Sequence, residues 1–304
     1  MVFETHITLI IGGLLLGGIY SMIAFGLTLT FGVSRILNVA HGDFLILGSV
    51  VGLILFDIFG INPFLSIAII APLFTLLGMA VDRGLIRTII SRTGERALAA
   101  SIIVTLGLSM AIEDSTAYYL GQAGGWAGGL GYISIPYNLP SITLLGYSIP
   151  ATRLLTLIAI IAIAFLMWLI VTKTYLGKVI RATIQDRETA MSLGADVGLT
   201  SAITLGIGIA LAAIAGLFYV MITSVSPFAG LGLTVKALTI VILGGLGSLF
   251  GSVFGGLIIG LIESYVSYYV GTIWAAPVAI LLLIVILLVR PSGLFGRRVE
   301  EVRK

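Results

Sequence analysis

Ile7-Thr-Leu-Ile-Ile-Gly-Gly-Leu-Leu-Leu-Gly-Gly-Ile-Tyr-Ser-Met-Ile-Ala-Phe-Gly-Leu-Thr-Leu-Thr-Phe-Gly-Val-Ser34 contains no charged side chain. A helix rises about 1.5 Å per residue and a bilayer's hydrocarbon core is about 30 Å thick, so about 20 such residues make one crossing. The pattern recurs along the chain. Further charge-free stretches run Ile58–Val81, Ala97–Ile112, Leu154–Thr172, Val197–Val235, Ala237–Ile262 and Ser264–Val289. Each can hold a crossing, and the longest holds a crossing plus a loop. Ile36–Phe56 is also mostly apolar but carries Asn38, His41 and Asp43 in its first third, and it reads as a candidate broken helix.

Composition agrees with a lipid-embedded chain. Of 304 residues, 59% are hydrophobic and 10% charged, with a mean hydropathy of +1.20, far outside the soluble range. Lipid offers no hydrogen bonds to a backbone, so spanning segments must be helices or a closed barrel. No alternating ten-residue strands mark a barrel, and the fold class is an all-α polytopic membrane protein. Cysteine is absent, which excludes disulfides, thiol nucleophiles and thiolate metal sites. The segment from Met1 to His6 has Glu4 but no Lys or Arg, and the apolar run after it is too long for a signal-peptide core, so it is expected to be retained as a helix.

The net charge of +3 is not a nucleic-acid signature, because the basic residues gather in three places. These are Arg83, Arg87, Arg92 and Arg96, then Lys173, Lys178, Arg181 and Arg187, then Arg290, Arg297, Arg298, Arg303 and Lys304. The positive-inside rule puts all three in the cytoplasm. The Gly/Pro-rich stretch from Gly121 to Pro150, with Trp126, Tyr132, Tyr137 and Tyr147, then reads as an external loop whose aromatics are interfacial or packed. This topology places the N-terminus outside and the C-terminus in the cytoplasm. It also requires an extra element between Ser226 and Ser248, where Lys236–Leu243 is too short for a full span. The expectation is one transmembrane domain over 1–304, with about eight long hydrophobic helices plus a short re-entrant or half-helix. Cytoplasmic loops cover about 82–97 and 173–201, and the external loop about 121–150.

Two stretches resemble each other: Arg35-Ile-Leu-Asn-Val-Ala-His-Gly-Asp and, with one gap, Lys236-Ala-Leu-Thr-Ile-Val-Ile-Leu-Gly-Gly. In the expected topology they start on opposite sides, as in an inverted repeat around a midplane site. Chance likeness between apolar segments is the rival reading.

Charged groups inside a bilayer cost from about 2.5 kcal/mol upward on insertion scales. Asp43, Glu113, Asp114, Lys236 and Glu263 should therefore face protein, water or an interface. Asn38, His41, Gly42 and Asp43 form one candidate wall of a solute pathway, since a helix interrupted there frees backbone groups to line a cavity. Asn38 and His41 serving only as interhelical hydrogen-bonding groups is the competing reading. No metal site is expected from His41, because His6 lies at the other end of a helix. Glu263 is expected to steady the short element at Lys236. Gly247, Gly251, Gly255, Gly256 and Gly260 form small faces for close helix packing, and Gly244 and Gly245 are candidates for a gate or hinge.

The loop from Lys173 to Ser201 must meet something soluble. Asp186 can cap a helix with Glu188 in its first turn, Ala190, Met191 and Leu193 give it a small apolar face, and Gly194 can end it. So short a helix is marginal in water without a partner surface. It lies on lipid headgroups or docks into a cytoplasmic ATPase, with Ala190 and Gly194 allowing close approach and Arg187 and Glu188 setting register. No phosphate-binding G-x-x-x-x-G-K-[ST] occurs, Gly177-Lys178 being followed by Val179, so energy is expected from a partner or a gradient. No hydrolase or metalloprotease motif is present either.

The sequence resembles the permeases of branched-chain amino acid ABC importers, the hydrophobic amino acid uptake family. The resemblance runs nearly end to end and rests on Gly26-Leu-Thr-Leu-Thr-Phe-Gly-Val-Ser-Arg-Ile-Leu-Asn-Val-Ala-His-Gly-Asp43, Arg187-Glu-Thr-Ala-Met-Ser-Leu-Gly194, Leu243-Gly-Gly-Leu-Gly-Ser248 with Glu263, and Arg290-Pro-Ser-Gly-Leu-Phe-Gly296. It implies a non-enzymatic transport subunit without a cofactor of its own, ATP being bound by separate ATPase subunits that engage Glu188, Ala190 and Gly194. It also implies a second, homologous permease, an external substrate-binding protein and a place in the inner or plasma membrane. A branched-chain or other hydrophobic amino acid is the implied solute; relatives that carry urea or short amides, and a gradient-driven carrier, are the alternatives. The chain departs from the family at Val39, where Phe is common, near Arg87, where an Arg-Pro pair is missing, and at Glu113 and Asp114, where relatives usually carry a neutral Gln-Asn pair. The last departure bears on the identity of the solute.

Overall fold

The computed structural model describes residues 2–88, 94–122, 132–144 and 147–296. Arg92, Trp126, Arg297, Arg298, Arg303 and Lys304 lie outside them. Eleven α-helices stand among the described residues: α1 Val2–Ser34, α2 His41–Asp57, α3 Pro63–Val81, α4 Ala97–Gln122, α5 Ala151–Lys173, α6 Tyr175–Gln185, α7 Arg187–Ser192, α8 Val197–Ile222, α9 Gly230–Gly244, α10 Leu249–Tyr269 and α11 Ala275–Val289. Eight helical segments are long and apolar enough to cross a membrane. Their number equals that of the expected long elements but the membership differs: Pro227–Gly244, expected as the short extra element, is among the eight, and α2, expected as a long element over Ile36–Phe56, is a ninth, shorter piece of 17 residues.

α8 is the centre of the bundle, with 83% of its apolar window buried against 11% for the segment containing α11. The sequence permits this because glycine lets backbones touch. A Cβ on Gly26 would lie 2.7 Å from the Gly208 carbonyl oxygen, and one on Gly216 would lie 2.0 Å from that of Leu45. α1 packs most extensively on α10, where Gly260 meets the backbone of Gly17. The expected glycine face of α10 is therefore used within the chain. Gly247 takes no part, since a Cβ there would meet nothing within 4 Å. The helices that cover this core turn Leu65, Ile103, Ile158 and Leu288 outward, each more than half exposed, as lipid-facing surfaces require.

The described residues of the three basic segments share one end of the bundle. Arg187 donates to the Val33 carbonyl at the end of α1, Arg87 donates to that of Gly198, and Leu249 packs against the cluster formed by Leu29, Val33, Val171 and Ile180. The opposite end holds His6 stacked on Tyr265 and residues 132–144 and 147–150. There Ile133 pairs with Val225 by two backbone hydrogen bonds of 2.8 and 3.0 Å, and Ser141–Leu144 and Tyr147–Pro150 form an antiparallel hairpin. The expected Gly/Pro-rich loop thus contains a hairpin, whose strands alternate as Ser-Ile-Thr-Leu and Tyr-Ser-Ile-Pro.

Candidate functional site

Two helices begin inside the bundle rather than at its ends. α1 stops at Ser34, Arg35 takes a positive φ of 54°, and residues 35–40 run back without helical structure until α2 starts at His41. His41 Nε2 donates to the carbonyl of Ile23, 3.0 Å away and far back along α1. α2 then runs toward the hairpin end, where Phe56 packs edge-on against Tyr137. α8 likewise ends at Ile222, and α9 starts at Gly230 and runs to the basic end. The starts of α2 and α9 lie side by side. A Cβ on Gly42 would sit 2.0 Å from the Gly230 carbonyl oxygen, and one on Gly230 would sit 1.8 Å from Asp43 Oδ1. Only glycine fits at either place.

Thr234 locks this junction. Its hydroxyl accepts from the Gly42 amide at 2.8 Å and donates to the Val39 carbonyl at 2.8 Å. From α4, Ser109 Oγ donates to Asp43 Oδ2 at 2.5 Å, and the Thr105 hydroxyl accepts from the Val39 amide at 3.0 Å. Asn38, His41, Gly42 and Asp43 are all buried. Both side-chain atoms of Asn38, Nδ1 of His41 and Oδ1 of Asp43 find no hydrogen-bond partner among the described residues. Each such orphan costs about 1–3 kcal/mol, so polar capacity in the middle of the bundle is left unused in this conformation. Glu113 is half-buried one turn beyond Ser109, and Asp114 beside it is exposed.

The inverted arrangement appears at the level of elements, with a long helix, a break and a half-helix occurring twice in opposite directions. The two sequence stretches that resemble each other do not occupy equivalent places. Residues 35–43 span the first break, while 236–245 cover the far half of α9 and its end.

Behind the junction, Lys236 of α9 reaches Glu263 of α10 at 2.9 Å. Tyr20 of α1 donates to the same carboxylate at 2.8 Å and lies under the ammonium group, whose distance to its ring centre is 4.7 Å. Glu263 therefore does hold the short element. α9 ends at Gly244 and Gly245, the latter at φ 101°. The Leu294 and Phe295 amides donate to the carbonyls of Leu243 and Gly244 at 2.8 and 3.0 Å, so the two glycines end a helix whose last carbonyls are satisfied by residues 294 and 295.

At the basic end α7 is capped by Asp186, whose Oδ1 accepts from the Glu188 and Thr189 amides at 3.0 and 3.1 Å. Gly194 closes it at φ 86°, its amide donating to the Met191 carbonyl at 2.9 Å, and a Cβ there would meet nothing within 4 Å. Ala190 is buried against the bundle and Arg187 is half-buried, whereas Glu188, Met191, Leu193 and Gly194 are exposed, Leu193 to 84%. The helix is held by Ala190 and presents the others. Sequence reasoning missed Thr234, Ser109 and Tyr20. For Ser109 a signal existed, since Ser101, Thr105, Ser109 and Glu113 follow one another at helical spacing.

Residues 9–289 match the family described as "Branched-chain amino acid transport system / permease component". The chain belongs to this branched-chain amino acid transport permease family. It is therefore a multi-pass cell-membrane protein of the permease class. Among family members it is 30% identical to the high-affinity branched-chain amino acid transport system permease protein BraD of Pseudomonas aeruginosa, over 96% of this chain and 97% of that one. It is likewise 30% identical to LivH of Salmonella typhimurium, over 95% and 96%. A protein named as a probable LivH in Methanocaldococcus jannaschii is 24% identical over 94% and 91%. Among solved structures, a chain of "PsaBC from Streptococcus pneumoniae in complex with Fab" aligns with a TM-score of 0.54 at 14% identity, covering 92% of this chain and 91% of that one. That likeness concerns the fold.

Proposed function

We propose that the chain is the membrane-spanning permease subunit of an ABC importer for branched-chain or other hydrophobic amino acids, driven by separate cytoplasmic ATPase subunits that bind the ATP. The observation that carries this reading is the family match over nearly the whole chain, joined to an exposed, capped helix at the basic end. Met191 and Leu193 give the exposed side of this helix an apolar pair that a docked protein covers. α7 is the surface on which the ATPase docks, with Glu188, Met191, Leu193 and Gly194 in contact and Arg187 and Ala190 fixing the helix to the bundle. The positive-inside rule then sets the basic end, with the C-terminal segment, in the cytoplasm and the N-terminus outside.

The junction of α2 and α9 is the polar point of the solute path. In the conformation described it is shut, and its unpartnered groups at Asn38, His41 and Asp43 come into use when the half-helices part as the ATPases cycle. Asp114 is exposed in the middle of a membrane helix, where facing lipid would cost about 2.5–3.5 kcal/mol. Its face of α4 is covered by a second, homologous permease or by the water-filled path between the two. An external binding protein delivers the solute.

Reconstitution of the chain with copurified ATPase and binding protein tests the proposal. ATP-dependent uptake of leucine or isoleucine is expected, and Glu188→Ala or Gly194→Val should leave hydrolysis running while uptake is lost. Uptake driven by an ion gradient in vesicles lacking any ATPase would overturn the mechanism.

A further inference from the structure

At the basic end, α3 does not stop at Val81. It continues into a π-turn, Asp82–Ile86, a wider winding that is rare and recurs at functional positions. The first residue of that turn, Asp82, is 2% exposed. Ser201, early in α8, donates from Oγ to Asp82 Oδ1 at 3.0 Å. Arg87 lies 3.4 Å from Oδ2 and also donates to the Gly198 carbonyl in the first turn of α8. One carboxylate thus fastens the start of α8 to the end of α3. Farther along, the same helices meet backbone to backbone, a Cβ on Gly78 lying 2.7 Å from Gly206 Cα. α8 follows α7 after only Leu193–Asp196, and Asp196 caps it by accepting from the Leu199 amide at 2.8 Å.

We propose that Asp82 is the positioning residue through which movement of α7 enters the bundle. It holds α3 and the first turns of α8 as one rigid body, so that a displacement of α7 carries both helices together. The proposal rests on the reading of α7 as the ATPase-docking helix. The glycine contact supplies cohesion without burying a charge. What the carboxylate adds is register along the helix axes, since hydrogen bonds to Ser201 and Arg87 are directional where apolar contact is not. A buried carboxylate without such partners would be strongly destabilising, so a slip between the two helices is resisted at the end where the ATPase acts.

The test uses the full chain copurified with its ATPase and reconstituted with the binding protein. Asp82→Ala is expected to leave ATPase capture and basal hydrolysis intact and to lower solute uptake per ATP by roughly tenfold, within the usual range of coupling between sites. Because the chain has no cysteine, Asp82→Cys with Ser201→Cys can be bridged by a short bis-methanethiosulfonate reagent. Coupled uptake should return on bridging and fall again on reduction. Full uptake by Asp82→Ala, or a bridged protein that stays inactive because the two helices must separate, would overturn the pin alone. Should the double variant not assemble, Ser201→Ala decides: it must lose coupling as Asp82→Ala does, and coupling retained there removes the pin. A wild-type chain that captures no ATPase overturns the docking reading and this proposal with it.

Discussion

Lys236 is 23% exposed and Glu263 is 5% exposed at the side chain. Removing one partner of a buried ion pair leaves an uncompensated charge and costs about 3–5 kcal/mol, whereas removing both is often close to neutral. Lys236→Met and Glu263→Gln alone are therefore expected to lower thermal stability in detergent strongly, and Lys236→Met with Glu263→Gln to recover most of the loss. Equal melting temperatures for the single and double variants would mean that the pair does not hold α9. At this scale the sequence announces some residues and hides others. Asn38, His41, Asp43, Lys236 and Glu263 stand out because each is polar within an apolar run. Thr234 and Ser109 do not, because a hydroxyl is ordinary in a membrane helix and only the packing of α9 and α4 on α2 decides what it meets.

α7 was readable because a short helix advertises its own ends, with Asp186 before it and Gly194 after it. Hydrogen bonds from the Thr189 hydroxyl and amide and from the Glu188 amide hold the Asp186 carboxyl below the ordinary carboxylate range. A depressed pKa means that the cap is at full strength above the ordinary aspartate value of about 3.9 and is lost only as pH falls through its own lower value. Amide exchange in α7 should accordingly show constant protection, after correction for intrinsic rates, from neutral pH down to about 4. Loss of protection between pH 7 and 5 would exclude Asp186 as the group that holds the helix end. At Gly194, any side chain is forced into left-handed backbone, so Gly194→Ala should cost about 1–2 kcal/mol locally and fray the last turn in the same exchange experiment. α6 and the hairpin were less legible. α6 carries Lys178 and Arg181 in a segment that composition alone assigns to a loop, although Thr174 caps it through the Gly177 amide at 3.1 Å. The hairpin's two alternating runs around Leu145-Gly146 were a usable signal, overshadowed by the glycines before them.

For the molecule as a whole, charge-free length located seven of the eight spanning segments because lipid imposes that length directly, and missed Pro227–Gly244, which carries Lys236. It could not place the two breaks in register, since a half-helix start depends on which backbone lies beside it, here Gly42 against Gly230. The grouping of the described basic residues at one end gives a test of orientation. Leu193→Cys should react with an impermeant maleimide only after the membrane is opened, and Tyr132→Cys should react in intact cells. The reverse pattern would place α7 outside and remove any route to a cytoplasmic motor. The amides of residues 294 and 295 have one more effect, on the order in which this protein is made. They close the end of α9, so that half-helix cannot be completed until the ribosome has released a chain more than fifty residues longer than α9 itself reaches. A chain that stops before that point leaves the Leu243 and Gly244 carbonyls at the basic end without these two donors.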